Sequence, residues 1–156
     1  MRTVLIIGMV ALGAFFLGQV TAAPSAKHLI DATPAESVLI NLKDWFAQHP
    51  IKEGAASRSD NIFTSPRLAV NVGSSKDYKG VGRHIHTSVD ELIYMVQGEG
   101  EIYLNGKWMP FKTGDLHVCP RGVAHGTRAL PGKDYMTFNL FTPPQPKGGD
   151  RVMLDE

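Results

Sequence analysis

Three histidines and one glutamate stand out by type and spacing. His84-Ile85-His86 is a His-x-His pair, Glu91 follows five residues later, and His125 lies 34 residues beyond Glu91. In a strand, residues i and i+2 point to the same face, so His84 and His86 present two imidazoles side by side. Glu91 lies across a four-residue turn, Thr87-Ser88-Val89-Asp90, where the next antiparallel strand begins. His125 must arrive from another strand. Three neutral imidazoles and a carboxylate make a four-ligand metal site that leaves positions open for water or substrate. Taken alone, the His-x-His pair also reads as a polar strand surface. Asp90 is a rival to Glu91. His117 reads as a solvent-facing histidine, with a fifth ligand or proton carrier as the alternative. His28 and His49 lie outside the strand-rich region. Cys119 is the single cysteine, so no disulfide forms within the chain and no cysteine-based zinc site is available. It reads as a small buried strand residue.

These side chains need strands to carry them. From Ile62 onward the chain shows short runs of β-branched, aromatic and apolar residues separated by Gly, Pro, Asn and Asp. Strands are expected at 61–64, 67–72, 82–86, 91–97, 100–104, 107–110, 115–119, 124–128 and 134–141. Asn105-Gly106 between two such runs is a hairpin signal, and Gly98-Glu99-Gly100 reads as a turn. Short strands at this spacing imply an all-β sandwich or barrel. Ahead of them, Thr33-Pro34-Ala35-Glu36 reads as a capping box, and Val38, Leu39, Leu42, Trp45 and Phe46 mark one face of an amphipathic helix over about 34–48. Its apolar face is expected to pack on the outside of the same barrel, a homodimer interface being the alternative. Residues 50–60 read as a polar linker. The tail from Thr142, rich in Pro and Gly, reads as a surface wrap or disordered segment.

The stretch 82–129 resembles the cupin superfamily. His84, His86, Glu91 and Gly98 fall at the spacings of its first motif, and Gly114, Pro120, Gly122 and His125 at those of its second. The leading glycine of the first motif is displaced, position 78 being Tyr78, and the closing Asn of the second is Ala129. Both departures are at non-ligand positions. The spacing to Gly98 favours Glu91 over Asp90. The resemblance implies a small single-domain cupin: an all-β, jelly-roll-like double-stranded β-barrel with one N-terminal amphipathic helix. The metal, held by His84, His86, Glu91 and His125, would sit inside it. One divalent transition metal is expected, and the ligand set suits Fe, Mn, Ni, Cu or Zn alike.

Inward parity counted from the ligands places Ile93, Met95 and Gln97 on one wall of the pocket and Val123 and Thr127 on another, a mostly apolar lining. Arg67 and Arg83 could clamp a carboxylate but read as surface arginines.

The first 23 residues differ from the rest. Arg2 precedes a 15-residue stretch without a charge or polar side chain, Val4–Gly18, and Ala22 and Ala23 offer a cleavage site. This is the pattern of a secretory signal peptide cut near Ala22/Ala23, with an uncleaved membrane anchor as the alternative. The organisation expected is a signal over 1–22, helix and linker over 23–60, the barrel over 61–141 and a tail over 142–156. The protein is expected in the periplasm or secreted. With 16 basic and 15 acidic residues there is no field to gather nucleic acid. A small molecule is the partner expected. Two classes of function stand: a metal-dependent enzyme of dioxygenase, isomerase or lyase type, and a non-catalytic barrel that binds a metal or small ligand.

Overall fold

The structure, a computed structural model, describes residues 37–155. The expected signal peptide, the Thr33–Glu36 capping box and His28 lie outside the described residues. Nine strands and one helix follow: α1 (Leu42–Gln48), β1 (Ser57–Thr64), β2 (Ala69–Lys76), β3 (Gly80–His86), β4 (Asp90–Leu104), β5 (Lys107–Lys112), β6 (Leu116–Cys119), β7 (His125–Ala129), β8 (Asp134–Thr142) and β9 (Arg151–Met153). The strands run in the order β1-β2-β8-β4-β7-β3-β9, with β5 and β6 also on β4. The sheet curls so that two faces enclose one interior, the all-β barrel that the sequence leads one to expect.

The long β4 joins the two halves. Its first part pairs with β6 and β8, its last part with β5 and β7. Where 91–97 and 100–104 read as separate strands across a turn, the chain runs straight through, turning its corner at a bulge between Met95 and Gln97. Gly98 sits at this corner with φ +91°, and a Cβ there would lie 2.2 Å from the Asp134 carbonyl oxygen. Only glycine fits that approach. The Asn105-Gly106 hairpin forms as expected, both residues with positive φ.

Two apolar clusters brace the interior. Ile93, Met95, Ile102, Phe111, Ala129 and Tyr135 form one, and Ala69, Val89 and Phe141 the other.

Three expectations need correction. The helix begins eight residues after 34, because Asn41 caps it by accepting from the Asp44 amide (3.1 Å), and residues 37–40 run without regular structure. Only Phe46 of its apolar residues is buried, and Leu39 is fully exposed. Val38, Ile40 and Leu42 line a groove against the outer face of β1, β2 and β8, with Phe63, Val70 and Leu140. Next, β1 starts at Ser57, inside the expected linker: its first residues, Ser57, Arg58 and Ser59, are polar and line a cavity, so no apolar alternation announces it. Finally, the tail returns to the barrel. β9 pairs with β3, placing Arg151 opposite His86 and Met153 opposite His84. Three residues are too few to show a period, and the free edge of β3 supplies what local sequence does not.

Candidate metal centre

His84 and His86 stand on β3, Glu91 at the start of β4, and His125 at the start of β7, opposite His84. All four are buried, and one donor atom from each lies within 4.8 Å of the others. The structure thus brings together the four residues that the spacing singles out.

Each imidazole is oriented by what its Nδ1 meets. His84 Nδ1 lies 2.7 Å from the Gly82 carbonyl oxygen, His125 Nδ1 3.0 Å from that of Val123, and His86 Nδ1 2.7 Å from Asp150 Oδ1. Carbonyls and carboxylates only accept, so each Nδ1 carries the proton and each Nε2 turns to the centre. Cys119 Sγ adds a contact of 2.9 Å to His125 Nδ1. Glu91 Oε2 lies 2.8 Å from His125 Nε2 and 3.3 Å from His86 Nε2, while Glu91 Oε1 accepts from Asn139 Nδ2 at 2.8 Å.

Burial opposes the charge on Glu91, but hydrogen bonds from His125 and Asn139, with the His86 ring close by, hold its carboxyl well below the usual range. Burial pushes His84 down to about 4. Burial would lower His125 as well. Its hydrogen bonds to Cys119 and Glu91 outweigh that and raise it to about 10. For Asp150, burial is outweighed by hydrogen bonds from His86 and Ser88, which bring it down to about 2.

The cluster fits a metal ion. His84 Nε2 and His86 Nε2 are buried without a hydrogen bond among the described residues. Leaving one such atom unpaired costs about 1–3 kcal/mol. A cation among four converging donors satisfies both.

The cluster opens on a cavity of about 190 Å³. Of the expected lining, Ile93 and Thr127 face it. Met95 is fully buried in the apolar cluster beyond. Gln97 is exposed, because the bulge at position 96 inverts the parity of β4. Val123 is also exposed, since β7 begins only at His125 and strand parity does not reach back into the turn. The wall is polar rather than apolar: Ser57, Ser59, Asn71, Thr137 and Asn139 line it from β1, β2 and β8. Strict alternation along β8 (Tyr135, Thr137, Asn139, Phe141) would have found part of it.

His117 is buried, against expectation. It pairs with inward-facing Ile93 on β6, while its neighbours Leu116 and Val118 face out. Its ring is 6.1 Å from that of His125, and it is not one of the four converging donors. Asp90 is exposed and caps the Arg121 amide (2.9 Å). His49 stacks on Trp45. Arg83 lies over the Tyr103 ring, and neither it nor Arg67 lines the cavity. Asp150 and Arg151 had no signal in spacing or motif.

Residues 76–140 match the family model of the cupin domain. The chain carries a cupin domain over these residues. It is 32% identical over 77 residues to an oxalate-binding protein of Thermotoga maritima, covering 49% of this chain and 58% of that one. The chain thus spans little more than half the length of the curated relative it matches. Among solved structures, KdgF from a Halomonas species superposes with a TM-score of 0.60 at 24% identity, over 73% of this chain and 99% of that one. A predicted oxalate decarboxylase from Thermotoga maritima superposes with a TM-score of 0.52 at 21% identity, over 56% and 80%. At these identities the two structures speak for the cupin fold alone.

Proposed function

We propose that this cupin is an exported metal-dependent enzyme acting on a small organic molecule by dioxygenase, isomerase or lyase chemistry. One observation carries the reading. The unpaired Nε2 atoms of His84 and His86 meet Glu91 and His125 at the wall of a polar cavity large enough for a small ligand.

His84, His86, Glu91 and His125 would hold one divalent transition ion, of Fe, Mn, Ni, Cu or Zn. Such an ion supplies Lewis acidity to a ligand oxygen. The protein's own part is orientation. Gly82, Asp150 and Val123 fix the three imidazoles, and Asn139 holds Glu91. Tyr135, donating to Thr127 Oγ1 at 2.9 Å, rigidifies the cavity wall opposite.

The test is metal analysis of the protein purified from its own compartment, followed by turnover assays on small organic acids and sugars. About one divalent ion per chain with turnover is expected, and a chain free of transition metal sinks the proposal. A second reading, a non-catalytic barrel that binds a small ligand, is favoured by the name of the oxalate-binding relative. Ligand binding by the metal-loaded protein without turnover decides for it.

Export rests on the apolar run Val4–Gly18 and the Ala22/Ala23 site. Native protein should begin near Ala23 in the periplasm or medium. A chain starting at Met1 in the membrane fraction overturns this. No helix among the described residues is long and apolar enough to cross a membrane.

A further inference from the structure

Arg151 stands directly opposite His86 in the β9–β3 pair. Directly opposed residues place their side chains on the same face of a sheet, so Arg151 shares the inward face of His86. It lines the same cavity as His84, Glu91 and His125, at its exposed rim. Among the described residues its side chain has no hydrogen-bond or ion-pair partner. The other arginine at this cavity, Arg58, is taken up by Asp60. A guanidinium at the mouth of a polar pocket, beside a cluster of ligating groups and bound to nothing else, is an anion receptor.

We infer that Arg151 is the ligand-recognition residue of this cavity and takes the carboxylate of a small hydroxylated monocarboxylic acid. The inference rests on the reading of the four-residue cluster as a metal site. Three features define the class. The cavity of about 190 Å³ holds roughly six waters' worth of liquid, below the size of drug-like ligand sites. The wall offers hydroxyls and amides (Ser57, Ser59, Asn71, Thr137), which suit ligand hydroxyl groups rather than an apolar chain. With a divalent ion present, the carboxylates of Glu91 and Asp150 and the guanidinium of Arg151 leave a single positive charge. One carboxylate neutralises it, and a phosphate dianion overshoots.

The experiment uses the full chain loaded with zinc or manganese, with metal content measured on every sample. D-glycerate, glycerol and inorganic phosphate are titrated into wild type, Arg151→Ala and Arg151→Lys by calorimetry. Wild type should bind glycerate, and bind glycerol and phosphate at least tenfold more weakly. Arg151→Ala should lose at least tenfold in glycerate affinity at unchanged metal content. Arg151→Lys, which keeps the charge without the planar fork, should fall between them. If Arg151→Ala sheds metal, Arg151→Lys with full metal decides: weaker glycerate binding supports the inference, and wild-type binding overturns it. Glycerate affinity unchanged in a metal-replete Arg151→Ala protein overturns the inference. So does phosphate binding as tightly as glycerate. A metal-replete wild type that binds no glycerate overturns it and leaves the metal reading standing; a wild type that takes up no metal overturns both.

Discussion

Asp150 Oδ1 accepts from His86 Nδ1 at 2.7 Å, across 64 residues of sequence. Both side chains are buried, and Asp150 Oδ2 is held in turn by the Ser88 amide (3.1 Å) and hydroxyl (2.8 Å). A carboxylate on the far nitrogen of a ligating histidine fixes the tautomer, aims the ring and raises its basicity. The C-terminal tail is therefore part of the candidate metal centre: β9 lays it along β3, and Asp150 precedes the first paired residue.

Removing that carboxylate should weaken metal binding while leaving all four cluster residues in place. Outer-shell partners of this kind are worth about 10–100-fold in metal affinity. Asp150→Ala is expected to fall in that range by chelator competition, and His86→Ala to lose most bound metal. Unchanged affinity in Asp150→Ala would show that Ser88 and the tail hold the loop for structural reasons alone.

How far the sequence reached is clearest in β3 and β4. The His-x-His pair, Glu91 and His125 were legible because ligand types at fixed strand spacing survive any detail of the fold. Parity was legible as far as Met95 and failed at Gln97, because a bulge is one extra residue that no alternation announces. β1 was hidden for a different reason. Its first residues, Ser57, Arg58 and Ser59, are polar and line a cavity, so no apolar alternation marks the strand. Asp150 and Arg151 were hidden because a three-residue strand takes its stability from the edge of β3, a tertiary partner that local composition does not contain.

The bulge gives a direct contrast between two neighbours that parity alone treats alike. Met95 is fully buried in the apolar cluster and Gln97 is exposed. Met95→Ala should cost about 2–5 kcal/mol. Gln97→Ala should stay within about 0.5 kcal/mol of wild type. Urea denaturation of the two variants checks both. Equal losses would place Gln97 inside and remove the bulge.

Gly98 should be the least replaceable glycine of the corner. Its φ of +91° and the 2.2 Å approach to the Asp134 carbonyl leave no room for a Cβ. The backbone conformation alone costs a non-glycine residue about 1–3 kcal/mol, and the clash adds to it. Gly98→Ala is expected to lower the denaturation midpoint, or the yield of folded protein, far more than Gly114→Ala. Gly114 has a similar φ of +93° but nothing within 4 Å of its Cβ position. Similar losses at the two sites would show that φ, not the Asp134 contact, sets the cost.

Metal uptake should release a proton, and His125 is its source. Without metal, burial opposes protonation of His125, but the hydrogen bonds to Cys119 and Glu91 outweigh it and hold the ring at about 10. His84, driven to about 4 by burial, has no proton to give at neutral pH. A raised folded value stabilises the metal-free protein fully below the ordinary 6.5 and loses that contribution as pH rises through about 10. A metal needs the ring neutral, so the same proton competes with the ion. Apparent metal affinity should therefore climb by about tenfold per pH unit above neutrality and level off near the folded value. Zinc titrations at pH 7.5 in two buffers of different ionisation enthalpy should differ by the heat of about one proton. Equal heats in both buffers would mean that His125 is already neutral, and that Glu91 meets it as an acceptor without an ion pair.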